Sequence, residues 1–383
     1  MGHYIVIGGG GYLGAHLISM LQKNGCKRRI IVVDPYPRKF KTVQFDSEYV
    51  TFREESFLDK DVLDSVLPGA AAVFHLAAVG HTGHNACDSK LIHDFNVIGT
   101  KQLVEKCKEH EVKRFLYASS VAVAFVGEPL DNVTEDEQLP DPDKYLNAYS
   151  ASKAQAETYV LSQSTENFKT IALRFRAIYG PEDPNVTEKV ANLIKKGMFI
   201  GLISIHGREP VSLSSSAINC AYAFYLADMV LQNPDGPHGR AYYIMDHNQK
   251  GQFSFWNPLI KALGKEPPKI YIPYWLVKFF LPFYEFNCYH IAKTAPIMTI
   301  FELAILAMDN TYSIQRARDE LGYEPIECQM EAVAEYHDAQ EKEMQRQMKE
   351  IQTLEPSRYH NLQLLGYFAL VVTIISFLLM YLY

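Results

Sequence analysis

Short apolar runs recur along the first 180 residues, separated by longer stretches whose apolar positions fall three and four apart. The runs at 4–7, 30–33, 50–52, 72–75, 114–118 and 170–174 predict β-strands, and the patterns at 91–110 and 149–165 predict helices. Strands alternating with helices predict an α/β fold, a doubly wound parallel sheet of the dinucleotide-binding (Rossmann) type. From residue 180 the texture changes to Pro and Gly punctuation, which predicts a smaller substrate-capping region with elements returning to the core. Residues 329–354 are charged at helical spacing and predict a solvated helix.

Two further segments stand out for their apolar character. Residues 271–308 are rich in aromatic and aliphatic side chains but are broken by Pro273, Pro282 and Pro296 and carry Lys278, Glu285 and Lys293. No uncharged stretch there reaches the ~18 residues a membrane span needs, so the segment reads as part core and part pocket wall or membrane-resting surface. Residues 362–383 carry no charge, and their only clearly polar side chains are Gln363, Thr373 and Ser376. At ~1.5 Å per residue that segment makes a helix of roughly 33 Å, enough to cross a bilayer. The expected division is a dinucleotide-binding core at 1–180, a substrate-binding region at 181–330, a charged linker helix at 331–357 and a transmembrane anchor at 362–383.

Gly8, Gly11 and Gly14 follow the first strand directly and open the first helix, with Tyr12 and Leu13 inside the same turn. Glycine permits the tight turn, close approach of backbone to a pyrophosphate and close helix–strand packing, and the helix N-terminus favours the phosphate charge. Asp34 closes the second strand, where an acid grips the adenosine ribose hydroxyls. It favours NAD over NADP, because a 2′-phosphate beside it would be repelled; Arg38 and Lys39 nearby pull the other way.

Tyr149 and Lys153 lie one helical turn apart on one face. A hydroxyl-oxidising enzyme needs a base working near neutral pH, and a phenol at ~10 is too weak an acid unless a neighbouring cation lowers it. With 24 tyrosines in the chain such a spacing arises by chance, and Tyr274 with Lys278 repeats it. Only Tyr149 follows a strand that ends in hydroxyls, Ser119 and Ser120, where α/β sites lie.

Composition narrows the function further. The net charge of −7 offers no phosphate-backbone partner, so no nucleic acid is expected. The six cysteines show no paired or His-clustered spacing, so no metal site is expected and they read as reduced thiols. The N-terminus fits neither a signal peptide nor myristoylation.

With these residues placed, His75-Leu76-Ala77-Ala78, Asn96-Val97-Ile98-Gly99-Thr100 and Arg114 through Ser120 resemble the ordered motifs of extended short-chain dehydrogenases. Leu173-Arg174 through Ile178-Tyr179-Gly180-Pro181, and Asn310-Thr311-Tyr312-Ser313 followed by Ala317 through Tyr323, resemble the 3β-hydroxysteroid dehydrogenase/isomerase family over about residues 3–330. The resemblance implies that Tyr149 is the acid/base and that Lys153 lowers its pKa and holds the nicotinamide ribose. It implies that Ser120, with Ser119 as the alternative, hydrogen-bonds the reacting oxygen, that Asn96 orients a relay water, and that Ala77 joins the cofactor-binding set. Two positions depart from the pattern: Phe175 stands where the family has proline, and Ser56 where an acid often contacts the adenine.

The implied activity is NAD-dependent oxidation of a sterol or steroid 3β-hydroxyl, alone, with double-bond isomerisation, or with loss of a 4-carboxyl. The alternatives are a nucleotide-sugar epimerase or a reductase of other carbonyls, and a membrane-tethered, non-catalytic NAD-binding scaffold. The expected setting is the endoplasmic reticulum membrane, or the mitochondrial one, with a cytosolic catalytic domain; homodimers are common in the group. His75 reads as packing beside the cofactor, and His81 and His84 as a solvated loop.

Overall fold

Strands buried on both faces read as unbroken apolar runs, and the first half of the chain uses this device repeatedly. The computed structural model describes residues 2–80, 86, 88–246, 250–292, 294–326 and 328–354. It opens with β1 (His3–Ile7), α1 (Tyr12–Lys23), β2 (Ile30–Val33), β3 (Val50–Arg53), α2 (Lys60–Val66) and β4 (Ala70–His75). The helical stretch that follows is α3 (Ser89–His93), a π-helical turn (Asp94–Gly99) and α4 (Thr100–Glu109). Next come β5 (Arg114–Ser120), β6 (Leu130–Val133), α5 (Ala148–Ser162), β7 (Lys169–Phe175) and α6 (Thr187–Lys195). The chain continues through β8 (Leu202–Ser204), β9 (Val211–Ser212), α7 (Ala217–Gln232), β10 (Arg240–Ile244), β11 (Lys250–Gly251) and α8 (Asn257–Ala262). The remaining elements are β12 (Tyr271–Pro273), α9 (Tyr274–Phe286), α10 (Ile300–Ala307), β13 (Asn310–Tyr312), α11 (Gln315–Leu321) and α12 (Met330–Leu354).

The central sheet has seven parallel strands in the order β10-β7-β5-β4-β1-β2-β3. One face packs on α1 and α7 through Leu17, Ile18, Leu21, Phe224 and Leu231. The other packs on α2, α4 and α5 through Leu63, Leu103, Val104, Ala156 and Val160. The doubly wound parallel α/β fold is therefore present. Strand order reverses between β1 and β4, and the carboxyl ends on either side form the crevice where such sheets bind ligands.

All six predicted strands are found, four of them extended by one or two residues and one, at 170–174, by a residue at each end. The seventh, β10, comes from residues 240–244 and pairs with β7 over five residues, burying Tyr242 and Tyr243 completely. The helix expected over 91–110 contains the π-helical turn at Asp94–Gly99, which changes the face that Asn96 presents.

The aromatic segment forms β12, parallel to β8, and then the hairpin of α9 and α10. Pro282 lies inside α9, and a capping box of Thr299 and Glu302 starts α10. Among the described residues no helix is long and apolar enough to cross a membrane. The anchor expected at 362–383 lies outside the described residues, as do His81, His84 and Lys293.

Candidate active site

The glycine turn occupies the crevice with almost no spare volume. Gly8 has φ +76°, and a Cβ there would stand 2.7 Å from the Ala77 nitrogen. A Cβ on Gly14 would stand 2.4 Å from Gly9 Cα. Gly11 is the extended N-cap of α1 and gives no side-chain cap, and the first turn holds no acid. The leading N–H groups of α1 are thus open to an anion, helped by the helix dipole. Tyr12 is buried edge-on to His16 and Phe40, with ring centroids 4.7 and 5.2 Å away, while Leu13 packs against the core. Asp34 binds into the same turn: its Oδ2 accepts from Gly10 N at 3.0 Å and its Oδ1 from Tyr36 N at 2.9 Å. The glycines, Asp34 and Ala77 therefore meet in one tight turn whose backbone N–H groups could hold the phosphates of a dinucleotide.

Ser120 ends β5 and Tyr149 is the second residue of α5, whose N-cap Asn147 accepts from Ser150 N at 2.7 Å. The structure joins the two hydroxyls in a hydrogen bond. Lys153, one turn on and 2% exposed, donates to the Ala118 carbonyl at 2.5 Å and lies 4.1 Å from the centre of the Tyr117 ring. Ser119 points elsewhere and donates to Glu157 at 2.5 Å, so of the two serines Ser120 faces the phenol.

Asn96 is fully engaged. Its amide group donates to the Val79 carbonyl at 2.9 Å and to Ser152 Oγ at 3.0 Å, and its Oδ1 accepts from Val79 N at 2.8 Å. It clamps the segment after β4 to α5, beside Lys153. His75 is enclosed, its Nε2 2.9 Å from Thr100 Oγ1, and burial followed by the Lys153 charge pushes its imidazole down to about 3.

The charge balance differs from the expected one. Tyr149 is partly exposed as a residue, but its hydroxyl is enclosed; burial raises the phenol above its ordinary value, against which the Ser120 hydrogen bond works. Burial also pulls the Lys153 ammonium down to about 7, with Glu157 opposing. Burial opposes charge on both groups, so in the protein alone the phenol stays above its ordinary value and the ammonium below its own.

Sequence reasoning missed the layer beneath this pair. Glu157, four residues after Lys153 and 1% exposed, holds Arg174 at 2.6 Å and accepts from Ser119. Arg174 in turn lies 4.9 Å from the centre of the Tyr243 ring. The i, i+4 spacing of Lys153 and Glu157 was the available signal. Tyr274, set aside on sequence grounds, packs on the same apolar cluster as Tyr149, with Phe125 and Phe301, so the α9–α10 hairpin reaches the candidate site. Among the described residues no group of His, Cys, Asp and Glu could hold a metal.

The sequence profile described as the 3-beta hydroxysteroid dehydrogenase/isomerase family matches residues 5–274. The chain belongs to that family. Membership makes it a nicotinamide-dependent oxidoreductase of the dehydrogenase class. It is 36% identical to 3beta-hydroxysteroid dehydrogenase/Delta(5)-Delta(4) isomerase 1 of Caenorhabditis elegans over 81% of this chain and 66% of that relative, about two thirds of its length. It is 28% identical to the decarboxylating sterol-4-alpha-carboxylate 3-dehydrogenase of Mus musculus, over 86% of this chain and 88% of that protein. Among solved structures, UDP-glucuronic acid 4-epimerase from Bacillus cereus in complex with NAD aligns with a TM-score of 0.65 at 21% identity, over 88% of this chain and 99% of that one. That likeness is one of fold.

Proposed function

We propose that this chain oxidises the 3β-hydroxyl of a sterol or steroid, using NAD, at Ser120, Tyr149 and Lys153. The observation that carries the reading is the hydrogen-bonded Ser120–Tyr149 pair with Lys153 beneath it, at the carboxyl edge of the sheet beside the glycine cradle. NAD fits the cradle through the open N-terminus of α1 and the Asp34 carboxylate, and when bound it supplies the hydride acceptor and a positive nicotinamide ring. Ser120 donates to the substrate oxygen and orients it. Tyr149 takes the hydroxyl proton as the base, and Lys153, poised at about 7, holds the positive charge that steadies the phenolate. Asn96 acts through Ser152 and Val79, fixing α5 against the nicotinamide side of the crevice.

The steroid class rests on the family and on the named relatives, one a dehydrogenase/isomerase and the other a decarboxylating dehydrogenase. Residues 362–383 serve as a transmembrane anchor, holding the site beside the membrane, that of the endoplasmic reticulum, in which sterols dissolve. The test uses the purified full chain in detergent with NAD and three 3β-hydroxysterols: a saturated one, a Δ5 one and one bearing a 4-carboxyl. NADH formation with a 3-ketone product supports the reading; the shifted double bond or released carbon dioxide identifies the branch. No NADH from any of them overturns it.

A further inference from the structure

We infer that Glu157 is a positioning residue of the dehydrogenase site: from beneath, its carboxylate holds Ser120 against Tyr149 and keeps Lys153 charged. The inference rests on the Ser120–Tyr149–Lys153 reading and adds the group that sets the pH range in which that site works.

Tyr149, Lys153 and Glu157 recur every four residues along α5 and so share one face of the helix. The two lower side chains grip consecutive residues of β5. Lys153 Nζ donates to the Ala118 carbonyl, and Ser119 Oγ donates to Glu157 Oε2, each at 2.5 Å. The next residue is Ser120, whose hydroxyl is bonded to Tyr149. The same carboxylate reaches β7: Arg174 donates to Oε1 through Nη2 at 2.6 Å and to both oxygens through Nε at 3.1 Å. Ser119 and Arg174 are register partners on the adjacent strands, as are Ser120 and Phe175. One ionised group thus ties the helix of Tyr149 to both strands, one residue short of Ser120. Hydrogen bonds to an ionised acceptor are about twice as strong as neutral ones, so the end of β5 cannot slide along α5 cheaply.

The same placement bears on charge. Lys153 is enclosed, with its ammonium 4.1 Å from the centre of the Tyr117 ring, and a buried ammonium with no anion near it sheds its proton. The titratable groups facing it come from three elements. His75 on β4 is neutral, Tyr117 on β5 and Tyr149 on α5 are phenols that burial holds above their ordinary value, and Glu157 is the anion. Arg174 on β7 is paired with Glu157, which Tyr145 and Tyr243 also face. Burial draws the lysine down to about 7, and Glu157 works against that pull. Without the carboxylate the ammonium falls further, the phenolate of Tyr149 loses part of its neighbouring charge, and the base needs a higher pH to form.

The test compares the full chain in detergent with Glu157→Gln, with Glu157→Gln plus Arg174→Met, which leaves no guanidinium unpaired, and with Ser119→Ala. The rising limb of kcat against pH, read as NADH formed from a 3β-hydroxysterol, is expected to move up by about one unit in both Glu157 variants. Ser119→Ala, which removes one hydrogen bond and no charge, lowers kcat several-fold and leaves the limb and KM in place. A uniform loss with an unmoved limb in the Glu157 variants overturns the inference, since a merely structural acid would give that result. A second measurement needs no turnover. Lys153→Met is added to the parent and to the Glu157→Gln, Arg174→Met chain, and denaturant midpoints are read at pH 6 and pH 10. At pH 6 it should raise the folding equilibrium constant by a several-fold larger factor in the chain lacking Glu157; at pH 10, where the folded lysine is neutral in both, the factors converge. Equal factors at both pH values overturn the inference. Divergence at pH 6 in a chain that oxidises no sterol supports it and sinks the dehydrogenase reading alone.

Discussion

The two sides of the crevice are built from different materials. On the cofactor side, backbone and buried polar groups fit so closely that a single added carbon at Gly8 or Gly14 would collide with main chain, and Lys153, Glu157 and Arg174 are each at least 95% enclosed. On the substrate side, the α9–α10 hairpin offers rings to the site through Tyr274 and to the outside through Trp275, Phe279 and Phe283. The first side binds one fixed ligand shape and sets proton positions, so it is specified atom by atom. On the proposed reading the second takes a rigid apolar molecule through area, and area tolerates exchange of one apolar side chain for another. On that reading, chemistry and substrate class are separated in space.

The largest test of this contrast is on the specified side. Tyr149→Phe removes one oxygen and is expected to lower turnover about 10³-fold, the scale of a lost general base, with NAD affinity retained; steady-state rates and cofactor titration read both. Turnover within tenfold of the parent would move the proton chemistry elsewhere.

Next is Glu157→Gln, which leaves Arg174, 4% exposed, without its counter-charge. A loss of about 3 kcal/mol in unfolding free energy is expected, partly recovered when Arg174→Met is added; denaturant midpoints measure it. A cost under about 0.5 kcal/mol would show that the buried pair is not what holds α5 to β7.

Lys153 gives a pH-dependent case. Folding lowers its ammonium from 10.5 to about 7, so the unfolded chain binds more protons over that range and the penalty of burying it eases as pH rises from 7 toward 10. Lys153→Met is therefore expected to raise stability at pH 6 by roughly 1–4 kcal/mol, with the gain shrinking toward pH 10, while abolishing turnover. Melting curves at the two pH values decide it; a difference independent of pH would contradict the assignment. The smallest effect belongs to the other side: Phe283→Leu, at a position 69% exposed, should change unfolding free energy by less than about 0.5 kcal/mol.

The same division governs what could be read from the sequence. Two-sided burial writes strands such as Ile30–Val33 as continuous apolar runs, so the sheet was legible before its topology was known. The expected ends fell short at Ala70 and Ser120 because small residues at a strand's edge carry no apolar signal. β10 escaped because Arg240–Ile244 follows a stretch punctuated by Asn, Pro and Gly, and only its pairing with β7 brings it into the sheet. The glycines, Asp34, Ser120, Tyr149 and Lys153 were legible as a pattern, since each sits at a defined offset from a strand end. Glu157 was not, because an acid in mid-helix reads as a solvated face until Arg174 is seen opposite it. Tyr274 was set aside as a chance spacing, and only tertiary packing brings it to the apolar cluster on which Tyr149 also packs.

The most direct measurement of the central claim follows one atom. The full chain is incubated with NAD and a 3β-hydroxysterol carrying deuterium on C3, and both products are analysed by mass. The account predicts a 3-ketone that has lost the label and a reduced nicotinamide that has gained it, with neither formed by Tyr149→Phe. Deuterium retained on the sterol, or returned to C3 with no reduced cofactor released, would contradict it.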